Sequence, residues 1–118
     1  MVLAALIRVG YQPLIPFGGG LRYDLAFDLD GQFKRVQCKT GRLVNGVVAF
    51  QTANWSRPTS PGRSYCGEVE YFGVYCPDTE EVYLVPIEDV HDRGAYLRVE
   101  PTRNGQAKGV RWAKDYVL

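Results

Sequence analysis

The sequence predicts an α/β fold, a short helix followed by a sheet built largely from hairpins. Three observations carry that expectation. Residues 2–9 form an apolar run that stops at Gly10. Two tight-turn pairs, Asp30-Gly31 and Asn45-Gly46, separate segments rich in strand-forming residues. Such pairs suit the positive φ that both central positions of a two-residue hairpin loop require. Finally, residues 69–76 and 81–86 read as strands joined by a turn at Pro77-Asp78-Thr79-Glu80.

Taken in order, the helix of residues 2–9 is followed by an apolar stretch at 13–17 and the flexible run Gly18-Gly19-Gly20. No Gly-Lys-Ser/Thr follows that run, so it is not a phosphate-binding P-loop. Strands near 23–29 and 33–39 make the first hairpin, and Asn45-Gly46 turns the chain into a strand over 47–51. Residues 52–66 read as a loop that mixes aromatic residues, arginines and turn formers. A single helical turn is expected at 87–90 and a further strand at 96–99. The polar segment 101–118 has Trp112 and Tyr116 as packing anchors.

The first hairpin carries the chemistry. If Asp30 and Gly31 form the loop, Leu29 faces Gln32, and counting outward places Asp24 opposite Gln37. Side chains alternate along a strand, so Lys39 joins them on one face while Leu25, Phe27, Val36 and Cys38 take the other. An apolar face set against a polar one pins the register. A hard cation such as Mg²⁺ takes oxygen ligands and keeps several waters beside a substrate phosphate. Asp24 offers a carboxylate, Gln37 an amide oxygen and Cys38 its backbone carbonyl. Lys39 is placed to orient an attacking water or to stabilise charge developing on the phosphate. An Asp and a Lys on a hairpin are otherwise ordinary surface charges.

An Asp on one hairpin strand and an [acid or Gln]-X-Lys on the next resembles the pattern of the PD-(D/E)XK nucleases. More widely, the stretches GYQPLIPFG, RYDLAFDLDGQFKRVQCKTGRL, EVEYFGVYCPDTEEVYLVPIEDV and RVEPTRNGQAKGVRWAKDYVL are similar to the group I intron-associated branch of that family. The resemblance implies a restriction-endonuclease-like α/β core, with a central mixed sheet of about four or five strands flanked by few helices. It implies that Asp24 and Gln37 hold the metal and that Lys39 is the catalytic lysine. The expected cofactor is Mg²⁺, for which Mn²⁺ substitutes. The Gln-X-Lys variant, also found in that branch, removes one negative charge from the site and should weaken metal affinity. Family members carry an acid on the helix before the catalytic strand, whereas no Asp or Glu precedes Asp24 here. Residues 1–8 look like the second half of that helix, so the expectation is a helix truncated at its N-terminus or an acid that has been lost.

Composition bounds the remaining possibilities. A chain of 118 residues with 13% aromatic content is expected to fold as one domain with its own core. The opening apolar run is too short to span a bilayer and lacks a secretory cleavage site, which points to the cytoplasm and, for a nuclease, to the nucleoid. Cys38, Cys66 and Cys76 lack paired metal spacing; Cys38 and Cys76 read as strand residues of a reducing compartment. His91 has no nucleophilic partner in a recognisable motif. The net charge of +1 hides an asymmetry: residues 1–66 carry eight Lys/Arg against three acids (+5), and residues 67–118 six against ten (−4). The basic half contains the hairpin, as a nucleic-acid face should.

Arg22 and Arg42 flank the site, and Arg57 and Arg63 sit in the 52–66 loop; all four are candidate phosphate contacts. The cluster Arg103, Lys108, Arg111 and Lys114 reads as a solvated tail. Glu68 and Glu70 share a strand face; a glycosidase pair is not supported there, and Glu70 remains a candidate auxiliary acid. The function expected is a metal-dependent endonuclease acting on double-stranded DNA in the manner of a homing enzyme, as a homodimer or homotetramer with no membrane association. The alternatives are a DNA-binding module that keeps the scaffold without cleavage, or a structure-specific nuclease acting on branched DNA.

Overall fold

The computed structural model describes residues 1–18, 21–54, 63–64, 67–90, 94–100 and 110–118. Helix α1 (Val2–Arg8) is short, and its end is set by local hydrogen bonding. The Gly10 N–H donates to the Ile7 carbonyl and the Tyr11 N–H to the Leu6 carbonyl. This is the paired closure of a Schellman cap, which glycine favours. Strand β1 (Pro13–Leu14) follows, then the hairpin of β2 (Leu25–Leu29) and β3 (Gln32–Thr40). Leu29 pairs with Gln32 and Leu25 with Val36, the register that the Asp30-Gly31 turn predicts. Asp30 and Gly31 have φ of 53° and 86°, and Asn45 and Gly46 have 50° and 80°. The second pair joins β4 (Arg42–Val44) to β5 (Val47–Phe50).

Within the segment expected to be all loop, β6 (Ala53–Asn54) pairs with β7 (Arg63–Ser64). Strand β8 (Tyr71–Cys76) starts two residues later than the sequence suggests, although the Glu70 N–H already donates to the Arg35 carbonyl of β3. Strand β9 (Glu81–Pro86) and the helical turn at Ile87–Asp89 fall where expected, and β10 (Ala95–Arg98) lies one residue early. The anchors are as foreseen: Tyr116 packs on the core, and Trp112 bridges to Arg98.

The principal sheet is mixed, in the order β1-β2-β3-β8-β9, with β3 and β8 parallel and the other pairs antiparallel. A second sheet, in the order β10-β5-β4, is antiparallel throughout. The C-terminal residues run along β9, where the Leu84 N–H donates to the Tyr116 carbonyl and the Leu118 N–H to the Val82 carbonyl. That pairing occupies a sheet edge that would otherwise offer unpaired backbone groups.

The principal sheet buries its two faces differently. On one, Leu25, Phe27, Val36 and Val82 pack against Val2, Ala5 and Leu6 of α1. On the other, Phe72, Val74, Cys76, Tyr83 and Val85 pack beneath Val48, Phe50, Ala95 and Leu97 of the small sheet. That second cover reaches only β8 and β9, and no residue of β2 or β3 joins its core. The β2–β3 half of the face therefore stays polar and open. Gly41 marks the boundary where the chain leaves one sheet for the other. A Cβ there would lie 2.8 Å from Val48 Cγ1 and 3.0 Å from Val74 Cγ1, so only glycine lets the two sheets approach.

Candidate active site

The open half of the sheet gathers the residues picked out by the hairpin register. The Asp24 N–H donates to the Val36 carbonyl at 2.8 Å, extending the β2–β3 pairing by one residue. Its carboxylate is thereby held over β3, where Oδ2 accepts two hydrogen bonds, both at 2.8 Å. One comes from the Gln37 amide and the other from the Cys38 backbone N–H. The Gln37 Nε2 also lies 3.5 Å from the Cys38 carbonyl oxygen. The Asp24 carboxylate, the Gln37 amide and the Cys38 carbonyl thus converge on one point.

That convergence fits a hard divalent cation. A glutamine amide carries its donor and acceptor on similar arms, so a half-turn of its terminal group exchanges nitrogen for oxygen. Three oxygens of one carboxylate, one amide and one carbonyl would then face the same place, leaving other positions to water and phosphate. Among the described residues no three His, Cys, Asp or Glu side chains come together. An ion here would therefore rest on one carboxylate supplemented by neutral oxygens. The Cys38 thiol stands on the helix side of the sheet, and burial, reinforced by the nearby Asp24 charge, pushes it up to about 11. Because the thiol takes the face opposite Gln37, Cys38 offers this corner its backbone and not its sulfur.

Lys39 alternates onto the same face as Gln37 and is half-buried. It lies where two clefts meet. One, of about 420 Å³, runs between the start of α1 and the hairpin and is lined by Asp24, Cys38 and Lys39. The other, of about 540 Å³, runs along the small sheet and is lined by Lys39, Arg42, Gln51 and Tyr96. Both include Thr40.

The remaining candidates are distributed around this corner. Arg42 is exposed at the start of β4, and Arg63 lies on β7. Arg57 and Cys66 lie outside the described residues, as do His91 and the cations Arg103 and Lys108. Arg22 forms an ion pair with Glu68 at 3.0 Å. Glu70 accepts from the Arg35 backbone N–H at 2.8 Å and from its guanidinium through Nε at 3.1 Å and Nη2 at 2.5 Å. These hydrogen bonds hold the Glu70 carboxyl below its usual range, and Arg35 is raised in return. Reading the sequence did not single out Arg35. Its alternation with Gln37 and Lys39 was visible, but its partner becomes apparent only once β8 lies parallel beside β3.

A family model described as PD-(D/E)XK endonuclease matches residues 1–118. The chain belongs to the PD-(D/E)XK endonuclease family. Nucleases of that family generally work with divalent metals, in keeping with the donors gathered at Asp24. Among solved structures, the bacterial homing endonuclease I-Ssp6803I is similar, with a TM-score of 0.65 and 19% sequence identity. The match covers 98% of this chain and 77% of that one. It establishes that the mixed sheet and its single described helix form a restriction-endonuclease-like fold. No curated protein matches the chain in sequence. Among the described residues, no helix is long and apolar enough to cross a membrane.

Proposed function

We propose that this member of the PD-(D/E)XK family is a metal-dependent endonuclease that hydrolyses phosphodiester bonds of double-stranded DNA in the manner of an intron-associated homing enzyme. The observation that carries the reading is the convergence of Asp24, Gln37 and the Cys38 carbonyl beside Lys39. In this reading Asp24, the Gln37 amide oxygen and the Cys38 carbonyl hold Mg²⁺, with Mn²⁺ able to replace it. The ion supplies Lewis-acid polarisation of the phosphoryl group and a more acidic water. Lys39 donates to the attacking water or to the phosphate oxygen on which charge grows, an interaction strongest in the transition state. Arg42, Arg57 and Arg63 hold flanking phosphates, which fixes the strand without reading its sequence; Arg22 joins them only by leaving its ion pair with Glu68.

Each corner of this kind cuts one strand. A double-strand cut therefore calls for two copies, as a homodimer or within a homotetramer. The whole 118-residue chain acts as one nuclease domain, working on DNA in the cytoplasm and nucleoid. Glu70 serves as a brace for β3 in this reading and not as an auxiliary metal acid, because its carboxylate is occupied by Arg35.

The test is nicking of supercoiled plasmid in Mg²⁺ and in Mn²⁺. Wild type is expected to nick, and Lys39→Ala to lose on the order of a hundredfold or more while retaining DNA binding. Binding without cleavage by wild type in either metal would overturn the enzymatic reading. Cleavage restricted to four-way junctions would replace double-stranded with branched DNA as substrate.

A further inference from the structure

The second cleft leads away from Lys39 along the outer face of the small sheet, and its lining has a pattern. Register places Arg42 beside Ala49 and Ala49 beside Tyr96, one residue from each of three adjacent strands. In the neighbouring row Val48 and Leu97 point into the core. The Arg42–Ala49–Tyr96 row therefore points outward, since side chains alternate across a sheet. Tyr96 is 64% exposed, and Arg42 is exposed as well. Ala49 between them is small, which leaves a trough. Strands sit roughly 4.8 Å apart, so the arginine and tyrosine stems rise from positions about 10 Å apart with a low floor between.

The trough is contiguous with the metal corner. Lys39, Thr40 and Arg42 line the same cleft of about 540 Å³ as Ala49 and Tyr96. Gly41 joins Thr40 to Arg42 where the two sheets touch. A cation at one wall and a phenol ring at the other suit a sugar–phosphate chain. The guanidinium takes phosphate oxygens, and the ring packs on a sugar or base.

We propose that the Arg42–Ala49–Tyr96 row is a binding strip for the DNA strand leaving the metal corner, with Arg42 on a phosphate next to the scissile one and Tyr96 packed against the following sugar or base. This rests on the nuclease reading and adds to it a path for the substrate and a contact residue, Tyr96. Ala49 is part of the device, since a large side chain there fills the trough.

The experiment measures binding of a mixed-sequence duplex without divalent metal, between about 50 and about 200 mM salt, and plasmid nicking in Mg²⁺. Ile7→Ala, an exposed position on the helix side of the molecule, serves as control. Tyr96→Ala is expected to weaken binding roughly tenfold with an unchanged salt slope, and Tyr96→Phe to bind as wild type. Arg42→Ala should weaken binding and lower the salt slope by about one. Ala49→Phe should weaken binding while leaving the thermal midpoint near that of wild type. If wild type binds and nicks while Tyr96→Ala, Arg42→Ala and Ala49→Phe all bind like Ile7→Ala, the strip is overturned and the nuclease reading stands. If wild type binds without nicking and the strip variants still lose affinity, the strip stands and the nuclease reading falls.

Discussion

Two carboxylates flank β3 on the same face of the principal sheet, and they are treated in opposite ways. Asp24 reaches over from the β2 side and Glu70 from the β8 side. Asp24 accepts from neutral donors, the Gln37 amide and the Cys38 N–H. Glu70 accepts from the forked guanidinium of Arg35 and from its backbone N–H. A guanidinium has five donors and no acceptor, so the Glu70 corner has no second arrangement to offer an ion. A glutamine amide can turn and present oxygen, so the Asp24 corner can exchange a hydrogen bond for a cation. The Glu70 corner already holds its cation, Arg35. The identity of the residue opposite each acid, not the acid itself, separates the corner proposed to bind metal from the structural one.

The sharpest way to break that contrast is to neutralise each acid in turn. Asp24→Asn keeps an oxygen able to accept both N–H groups but removes the negative charge of that carboxylate. Cleavage is expected to fall by at least about a hundredfold in a nicking assay, with little change in the denaturant midpoint. Glu70→Gln should do the reverse. The Arg35–Glu70 pair is about a third exposed (side-chain accessibilities of 38% and 30%). After discounting for solvent screening, its loss should cost about 1 kcal/mol in urea unfolding, with cleavage reduced far less. A Glu70→Gln variant as inactive as Asp24→Asn would show that the two corners do the same work.

Gly41 gives the next largest effect, because it ties the active face to the small sheet. Gly41→Ala forces Val48 and Val74 apart, and overpacking of that kind costs about 1–3 kcal/mol. Differential scanning calorimetry should show the lowered midpoint. Nicking should fall more than DNA binding does, since the displaced segment carries Lys39.

A smaller effect follows from acidity. Arg35 holds the Glu70 carboxyl below its ordinary value of 4.5, chiefly through the side-chain hydrogen bond. A carboxylate whose folded-state pKa is depressed contributes stability that is fully present above its unfolded pKa. That stability is lost as pH falls through the folded value. The stability of wild type should therefore decline below about pH 4.5, and Glu70→Gln should flatten part of the decline. An identical acid profile for the two proteins would mean that the pair contributes nothing to the fold.

The contrast also shows what a sequence can disclose. Asp24, Gln37 and Lys39 were legible because a two-residue turn fixes a hairpin locally, and register then follows by counting. The β8–β9 hairpin was legible because a four-residue turn of Pro77, Asp78, Thr79 and Glu80 separates two strand-forming runs. The pairing of Arg35 with Glu70, 35 residues away, was not, since it depends on a parallel contact between strands that no turn connects. The small sheet was half-read: Asn45-Gly46 announces its first hairpin, but nothing local places β10 against β5. Tyr96 was therefore assigned to a strand with no hint that Arg42 stands two strands away.

Cys38 provides the finest test of the metal corner, because it separates backbone from side chain. If the ligand is the carbonyl, the residue at 38 is free to change provided β3 keeps its course. The thiol belongs to the opposite face, packed among the residues beneath α1. Cys38→Ala should therefore lose about 1 kcal/mol or less from a half-buried side chain, while nicking rate and Mg²⁺ dependence stay those of wild type. Iodoacetamide should modify wild-type Cys38 slowly at neutral pH, because the raised pKa leaves little thiolate. A Cys38→Ala enzyme that folds normally but needs far more Mg²⁺ would assign the ligand to sulfur, and the pairing of a hard ion with three oxygens at Asp24 would have to be abandoned.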